Sequence, residues 1–349
     1  MPGTSGEGMM RKILVVAPNW IGDALMAQPL FAQIKARHPR AQIHAIAPKW
    51  VAPVLARMPE IARVLPTDLA HGKLQLGSRT MFAQQLKNET FDAAYVLPNS
   101  FKSALIPWLA GIPLRIGYKG ESRLGVLNVR YPNPPKNARP PMVQHYAALA
   151  FKPGAKLPDT LPDPKLNVDV QRVATTSAKF DIPGNARLVA FCPGAEYGPA
   201  KRWPAEHFAE LAQMLRRSFP YAQIVALGSG KDREMANAIV ERAPFVRNLC
   251  GETSLDEAIE LLARSEAAIC NDSGLMHVTA ALGRPQVAVF GSSDPRHTPP
   301  LSPAASIMWL HLECSPCFAR ECPLGHLRCL RDIGPEMVFH ELRRLLQPA

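Results

Sequence analysis

Ala267-Ala268-Ile269-Cys270-Asn271-Asp272-Ser273-Gly274-Leu275-Met276-His277-Val278-Thr279-Ala280-Ala281-Leu282 reads as a buried strand running straight into a helix. The apolar run before Asn271 has strand length, and Leu275, Val278, Thr279 and Leu282 fall on one face at helical spacing. In the polar turn between them, Asp272 or Ser273 can serve as N-cap, and Gly274 lets a ligand come close to the backbone. First-turn amides and the positive end of the helix dipole make such a terminus an anion site. An ordinary capped helix is the alternative reading of this turn taken alone.

The same alternation runs along most of the chain. Strands are expected at Ile13–Ala17, Ile43–Ala47 and Ala93–Leu97, with helices from Gly22 to about His38 and from Ser100 to Ala110. Proline then becomes dense between about Tyr131 and Asp169, interrupted by a short helix around Val143–Ala150, which marks a linker or hinge. Beyond it, strands at Leu188–Cys192, Gln223–Leu227, Ala267–Cys270 and Gln286–Phe290 alternate with helices at Ala205–Phe219, Arg233–Arg242 and Leu255–Ala263. An amphipathic helix at Pro335–Leu346 closes the chain. The expected fold class is therefore α/β, two doubly wound Rossmann-like domains facing across a cleft at the carboxyl ends of their strands. The domains are placed at residues 10–165 and 166–349, with the last helix free to pack back on the first domain.

The net charge of +11 is unevenly placed. Residues 1–170 hold 21 Lys and Arg against 10 Asp and Glu, whereas residues 171–349 hold 19 of each, so the whole excess sits in the first half. A basic half beside a neutral one suits an anionic macromolecule or membrane surface, with solubility alone as the plain alternative. Nucleic acid ranks below an anionic lipid or glycan, because RNP aromatics, zinc-finger spacing and a helix-turn-helix pattern are all missing. No apolar stretch approaches the roughly 20 residues that span a bilayer, and no secretory apolar region follows Met1, so a cytoplasmic or peripheral protein is expected. Met1–Met9 is expected to be a tail, since periodic sequence begins at Lys12.

Three of the seven cysteines, Cys192, Cys250 and Cys270, sit in apolar contexts and read as small core residues. The others form the cluster Cys314-x2-Cys317-x4-Cys322-x6-Cys329, with His326 nearby. Structural zinc and reduced thiols in a loop are both open readings, because the spacings match no standard pair of ligand hooks.

Candidate chemistry lies at the ends of the expected strands. Pro18-Asn19-Trp20-Ile21-Gly22-Asp23 lacks the dinucleotide-binding glycine pattern, and Asp23 at the helix start is a general-base candidate or an N-cap. Phe191–Pro204 is a Gly/Pro loop carrying Lys201 and Arg202, a pair suited to a diphosphate or else a solvated surface pair. Leu227-Gly228-Ser229-Gly230-Lys231-Asp232 is a third strand-end loop, where a nucleoside could lie. No D-x-D pair is present to place a metal ion on a diphosphate, so Lys201 and the helix terminus at Ser273 must neutralise a departing phosphate. Neither a G-x-S-x-G elbow nor an H-E-x-x-H motif occurs.

Four of these stretches coincide with a known family: Asn19–Asp23, Val96–Leu105, Phe191–Glu196 with Lys201–Pro204, and Asn271–His277. In them the chain resembles the ADP-heptose:lipopolysaccharide heptosyltransferases. The resemblance implies a GT-B glycosyltransferase, inverting and metal-independent, that needs no cofactor beyond its co-substrate ADP-heptose. It places the heptosyl-Kdo2-lipid A acceptor on the first domain, with Asn19, Ser100 and Lys102 as candidate contacts. By position, Asp23 matches the catalytic base, Lys201 the donor-phosphate lysine and Asp272 the donor-sugar aspartate. Arg202, Ser273, Gly274, Leu275 and His277 complete the implied donor site. A monomer at the cytoplasmic face of the inner membrane, without nucleic acid, is the implied setting. A nucleotide-sugar epimerase of similar architecture, and a non-catalytic nucleotide- or RNA-binding protein, remain the alternatives.

Overall fold

A computed structural model describes residues 10–69, 72–135 and 138–347, so the expected tail at Met1–Met9 lies outside the described residues. The chain divides into two compact units, Met1–Pro162 and Asp163–Ala349.

The first unit is built on one six-stranded parallel sheet. Its strands are β1 (Lys12–Val16), β2 (Gln42–Pro48), β3 (Ile61–Thr67), β4 (Ala93–Val96), β5 (Leu114–Tyr118) and β6 (Val129–Tyr131), in the order β3-β2-β1-β4-β5-β6. The chain winds outward from β1 to β3, then returns to the centre and winds the other way from β4. The switch between β1 and β4 is the place where loops part and leave a crevice. Helices Ile21–Met26 and Phe101–Leu109 leave from these two central strands. The expected helix from Gly22 to His38 is two helices, Ile21–Met26 and Gln28–Arg37, broken at Ala27 because Pro29 sits in the first turn of the second, where its missing N–H costs nothing.

The second unit repeats the plan. Strands β7 (Leu188–Cys192), β8 (Gln223–Ala226), β9 (Val246–Asn248), β10 (Ala267–Asn271), β11 (Gln286–Val289) and β12 (Ala305–Met308) form a parallel sheet in the order β12-β11-β10-β7-β8-β9. Here the switch falls between β7 and β10, whose pairing sets Phe191 against Ile269 and Cys192 against Cys270. Both strands are buried along their whole length, as a parallel sheet covered on two faces requires. Helix Ala205–Ser218 buries Phe208, Leu211 and Leu215, and the final helix Pro335–Leu346 buries Val338 and Leu342 in the same core. The buried face of that last helix thus belongs to the second unit. Cys192, Cys250 and Cys270 are all buried.

Among the described residues, no helix is long and apolar enough to cross a membrane.

Candidate active site

The turn after β10 has the geometry expected of it. Helix Gly274–Ala281 starts with Ser273 as N-cap, and the Ser273 side chain makes no capping hydrogen bond. Ser273, Gly274 and Leu275 are only half-buried, while Met276 to Ala281 are buried. The first turn therefore faces outward and the rest of the helix is core. Asn271, with no exposure, fastens this turn to the loop after β7: its Nδ2 donates to the Pro193 carbonyl at 2.6 Å, and its Oδ1 accepts from the Trp203 N–H at 3.0 Å.

That loop is held from its other end by Trp203. The indole is fully buried, donates from Nε1 to the Ile333 carbonyl at 2.8 Å and meets the Phe208 ring edge-on. With Trp203 immobilised, Lys201 two residues earlier is directed to the switch point, where its Nζ lies 2.5 Å from Asp272 Oδ2. The Ser293 hydroxyl, from the loop after β11, donates to the same oxygen. The predicted donor-phosphate and donor-sugar residues thus meet in one buried cluster. Lys201 also stands over the Tyr197 ring, 5.0 Å from its centre. Arg202 turns away from Asp272: its guanidinium donates to the Ala195 carbonyl at 3.3 Å and lies 3.9 Å from Asp232.

His277 lies one turn into the helix, 7% exposed. Burial lowers its pKa from the ordinary 6.5 to about 4, with the Asp272 carboxylate opposing that shift and the Lys201 ammonium adding to it. At neutral pH it is an uncharged imidazole, able to donate or accept a hydrogen bond without adding charge.

The loop after β8 closes the third side. Asp232 accepts from both the N–H and the hydroxyl of Ser229, at 2.9 and 2.8 Å, in a capping box. It packs so tightly on the preceding loop that a Cβ at Gly194 would stand 2.4 Å from its carboxyl carbon. Lys231 pairs with Glu196 at 2.5 Å.

In the first unit the candidate residues gather at the other switch point. Trp20 is the N-cap of helix Ile21–Met26, which puts Asp23 inside the first turn instead of at the cap. Asp23 Oδ1 accepts from the Tyr146 hydroxyl at 3.4 Å. The Asn19 carbonyl accepts from Trp50 Nε1 at 2.9 Å. Ser100 is the N-cap of helix Phe101–Leu109, but its side chain donates to Ser103 Oγ, and Glu121 caps the helix by accepting from the Phe101 N–H at 2.9 Å. Lys102 follows on that helix and is half-buried. Asn19 with Asp23, and Ser100 with Lys102, therefore stand where a loop passes into a helix after neighbouring parallel strands, at the same end of the sheet.

Cys314, Cys317, Cys322 and Cys329, with His326, line one small cavity together with Ala200 and Ser292. Backbone N–H groups from Leu324 to Leu327 hold the Cys322 thiol below its ordinary pKa, that of Leu327 foremost, whereas burial raises that of Cys329 to about 11. Among the described residues, no three His, Cys, Asp or Glu side chains form a group able to hold a metal ion. What the cysteine loop does structurally is brace the loops after β7 and β11. The Arg320 carbonyl accepts from the Ala200 N–H at 3.0 Å, the Phe318 carbonyl accepts from the Tyr197 hydroxyl at 2.6 Å, and the Phe318 N–H donates to the Ser292 carbonyl at 2.7 Å.

Three residues of these sites were not singled out from sequence. Ser293 follows Gly291-Ser292 at the end of β11, and a Gly-Ser-Ser run after a strand is a usable, if weak, signal for it. The sequence places Asn271 in the turn but carries no sign of its bridging role, and Tyr146 sits on a short helix with no local mark of function.

Two doubly wound α/β units, each collecting its polar side chains at its own switch point, are the components of a GT-B glycosyltransferase. A family model described as glycosyltransferase family 9 (heptosyltransferase) matches residues 79–328. Lipopolysaccharide heptosyltransferase 2 of Escherichia coli is 45% identical over 347 residues, covering 96% of this chain and 98% of that one. Lipooligosaccharide heptosyltransferase 2 of Haemophilus influenzae is 42% identical, covering 96% and 99%. The solved structure of E. coli ADP-heptose lps heptosyltransferase II superposes with a TM-score of 0.85 at 43% identity, covering 96% of this chain and 98% of the other. The chain belongs to glycosyltransferase family 9, the heptosyltransferases.

Proposed function

We propose that the protein transfers L-glycero-D-manno-heptose from ADP-heptose to heptosyl-Kdo2-lipid A, building the inner core of lipopolysaccharide, in one inverting displacement without a metal ion or other cofactor. The observation that carries this reading is the paired arrangement at the second switch point, where Lys201, Asp272 and Ser293 form one buried polar cluster beside a helix start with no side-chain cap. An anion arriving there meets the Lys201 ammonium and the first-turn amides after Ser273, and the Asp272 carboxylate is left to accept from sugar hydroxyls. Arg202, Gly274, Leu275 and neutral His277 complete the donor site.

In the first unit, Asp23 takes the proton from the acceptor hydroxyl as that oxygen attacks the anomeric carbon from the face opposite ADP. The bond from that carbon to the phosphate oxygen breaks, ADP leaves with the electron pair, and Lys201 with the helix terminus neutralises the charge it gains. Asn19, Ser100 and Lys102 are the acceptor contacts. The basic first half favours peripheral attachment to the anionic cytoplasmic face of the inner membrane, where the acceptor resides. Nucleic acid has no part in this reading, and the protein acts as a monomer.

The deciding experiment is Asp23→Ala, assayed for heptose transfer and, separately, for ADP binding. Transfer is expected to vanish while ADP affinity stays within about twofold, the margin for a residue outside the donor site. Loss of both would mean that Asp23 supports the fold and is not the base. Release of a rearranged sugar from ADP-heptose in the absence of acceptor would instead favour an epimerase.

A further inference from the structure

The helix carrying Tyr146 (Met142–Ala147) is tied down more firmly than a short helix in a proline-rich segment needs to be. The Tyr118 hydroxyl on β5 donates to the His145 carbonyl, and the His145 ring stacks on that tyrosine with 3.8 Å between centres. The Tyr131 hydroxyl on β6 donates to the Phe151 carbonyl, just beyond the helix. From the helix Gln28–Arg37, Arg37 donates to the Ala150 carbonyl and lies over the Phe151 ring, 4.0 Å from its centre. Two strands and a neighbouring helix thus fix the backbone from His145 to Phe151, and the side chain this segment presents to the switch point is Tyr146, 6% exposed, with its hydroxyl 3.4 Å from Asp23 Oδ1.

We propose that Tyr146 is a positioning residue for Asp23: its phenol donates to one carboxylate oxygen, keeping the carboxylate ionised and in one orientation for proton uptake from the acceptor. This deepens the function proposed above and rests on Asp23 being the base. A donated hydrogen bond favours the charged form of a carboxylate. The phenol itself remains a donor over the working range, because burial, with the Asp23 charge adding to it, drives its own ionisation well above the ordinary value. Among the described residues, the other charged or titratable groups facing Tyr146 are Arg139 from the preceding loop and Tyr118 from β5, with His145 on its own helix. None of them is a carboxylate that could substitute for Asp23.

The test compares Tyr146→Phe and Asp23→Asn with the unaltered full-length protein, assayed with ADP-heptose and lipid acceptor. The readouts are kcat, the KM for ADP-heptose, and the pH profile of kcat/KM. Tyr146→Phe keeps the ring and all the ties of the helix. Its kcat is expected to fall about tenfold, the usual worth of one hydrogen bond to a charged group, with donor KM unchanged. The acid limb of the profile is expected to move up by about one pH unit, since the carboxylate then protonates more readily. A kcat loss with the acid limb unmoved would assign Tyr146 a purely structural part and overturn the inference, as would an unchanged enzyme. Partial unfolding lowers the active fraction without moving the limb, so it cannot imitate the expected result. The Asp23→Asn variant separates the two claims. If it is inactive and Tyr146→Phe is normal, only the positioning role fails; if it stays active, the base reading fails and takes this inference with it.

Discussion

Lys201 Nζ and Asp272 Oδ2 lie 2.5 Å apart although 71 residues separate them in the chain. The pair is largely buried, with side-chain exposures of 17% and 5%, and the Ser293 hydroxyl shares the same carboxylate oxygen. Removing either partner of such a pair leaves the other in place without its counter-charge.

Lys201→Ala should therefore lose two separable things. Turnover should fall by roughly 100- to 1,000-fold, as for the loss of a charge-stabilising donor in an active site. Stability should fall by about 3 kcal/mol, because Asp272 is left buried without its cation. Adding Asp272→Asn should restore much of the stability and none of the turnover. Steady-state ADP release and urea unfolding on the three variants check this. Near-normal turnover in Lys201→Ala would remove Lys201 from the donor-phosphate role.

Gly198 lies three residues before Lys201 with φ at 154°, and a Cβ there would stand 2.5 Å from the Arg320 carbonyl oxygen. Only glycine tolerates both the dihedral and the contact. Gly198→Ala should push the donor loop off the cysteine loop, raising the KM for ADP-heptose by about tenfold or more, since small misplacements of binding groups are costly. Calorimetric titration with ADP would give the same answer without catalysis; unchanged affinity would show that the brace does not govern the site.

Asn271 joins the two central loops of the second unit through its bonds to Pro193 and Trp203. Asn271→Ala leaves a buried carbonyl and a buried N–H without partners, each costing about 1–3 kcal/mol. The expected result is a fall in unfolding free energy of about 2–6 kcal/mol together with weaker ADP binding. A variant with unaltered ADP affinity would separate the stabilising role of this residue from any role in shaping the site.

What could be read in advance divides along physical lines. Strands β1, β2, β7, β10 and β11 are apolar runs buried nearly throughout, and helices such as Ala205–Ser218 carry a clear one-sided pattern, so periodicity found them. The outer strands β3, β6, β9 and β12 escaped, and so did β5 beside β6. Each outer strand has one neighbour in the sheet and mixed exposure, as in Ile61–Thr67, where Ala62, Arg63 and Pro66 are exposed, so no apolar run marks them. Helix Val170–Lys179 was hidden by the proline-rich stretch before it, though Asp169 caps it by accepting from the Gln171 and Arg172 N–H groups. At the sites, residue type and position after a strand mark Asp23 and Lys201 as candidates and Asp272 as part of the polar turn, while the donor-sugar role of Asp272 comes only from the family resemblance. Their partners were not legible: Tyr146 is 123 residues from Asp23 and Ser293 is 21 from Asp272, and only tertiary packing joins them.

His277 gives the site a pH signature. In the unfolded chain it takes up a proton near pH 6.5, whereas in the folded protein burial defers this to about pH 4. Above pH 6.5 both states hold it neutral, and its contribution to stability is fully present. As the pH falls from there toward about 4, the unfolded state gains a proton that the folded state refuses, so stability is lost progressively across that window. Integrated between pH 7 and pH 5, the loss is about 2 kcal/mol. His277→Gln keeps a hydrogen-bonding side chain of similar size and removes the titration. Urea unfolding at the two pH values should therefore show a pH-dependent loss smaller by about 2 kcal/mol in the variant than in the unaltered protein. Equal losses in the two proteins would mean that His277 is protonated in the folded state near pH 6, and its uncharged role beside Lys201 and Asp272 would fall.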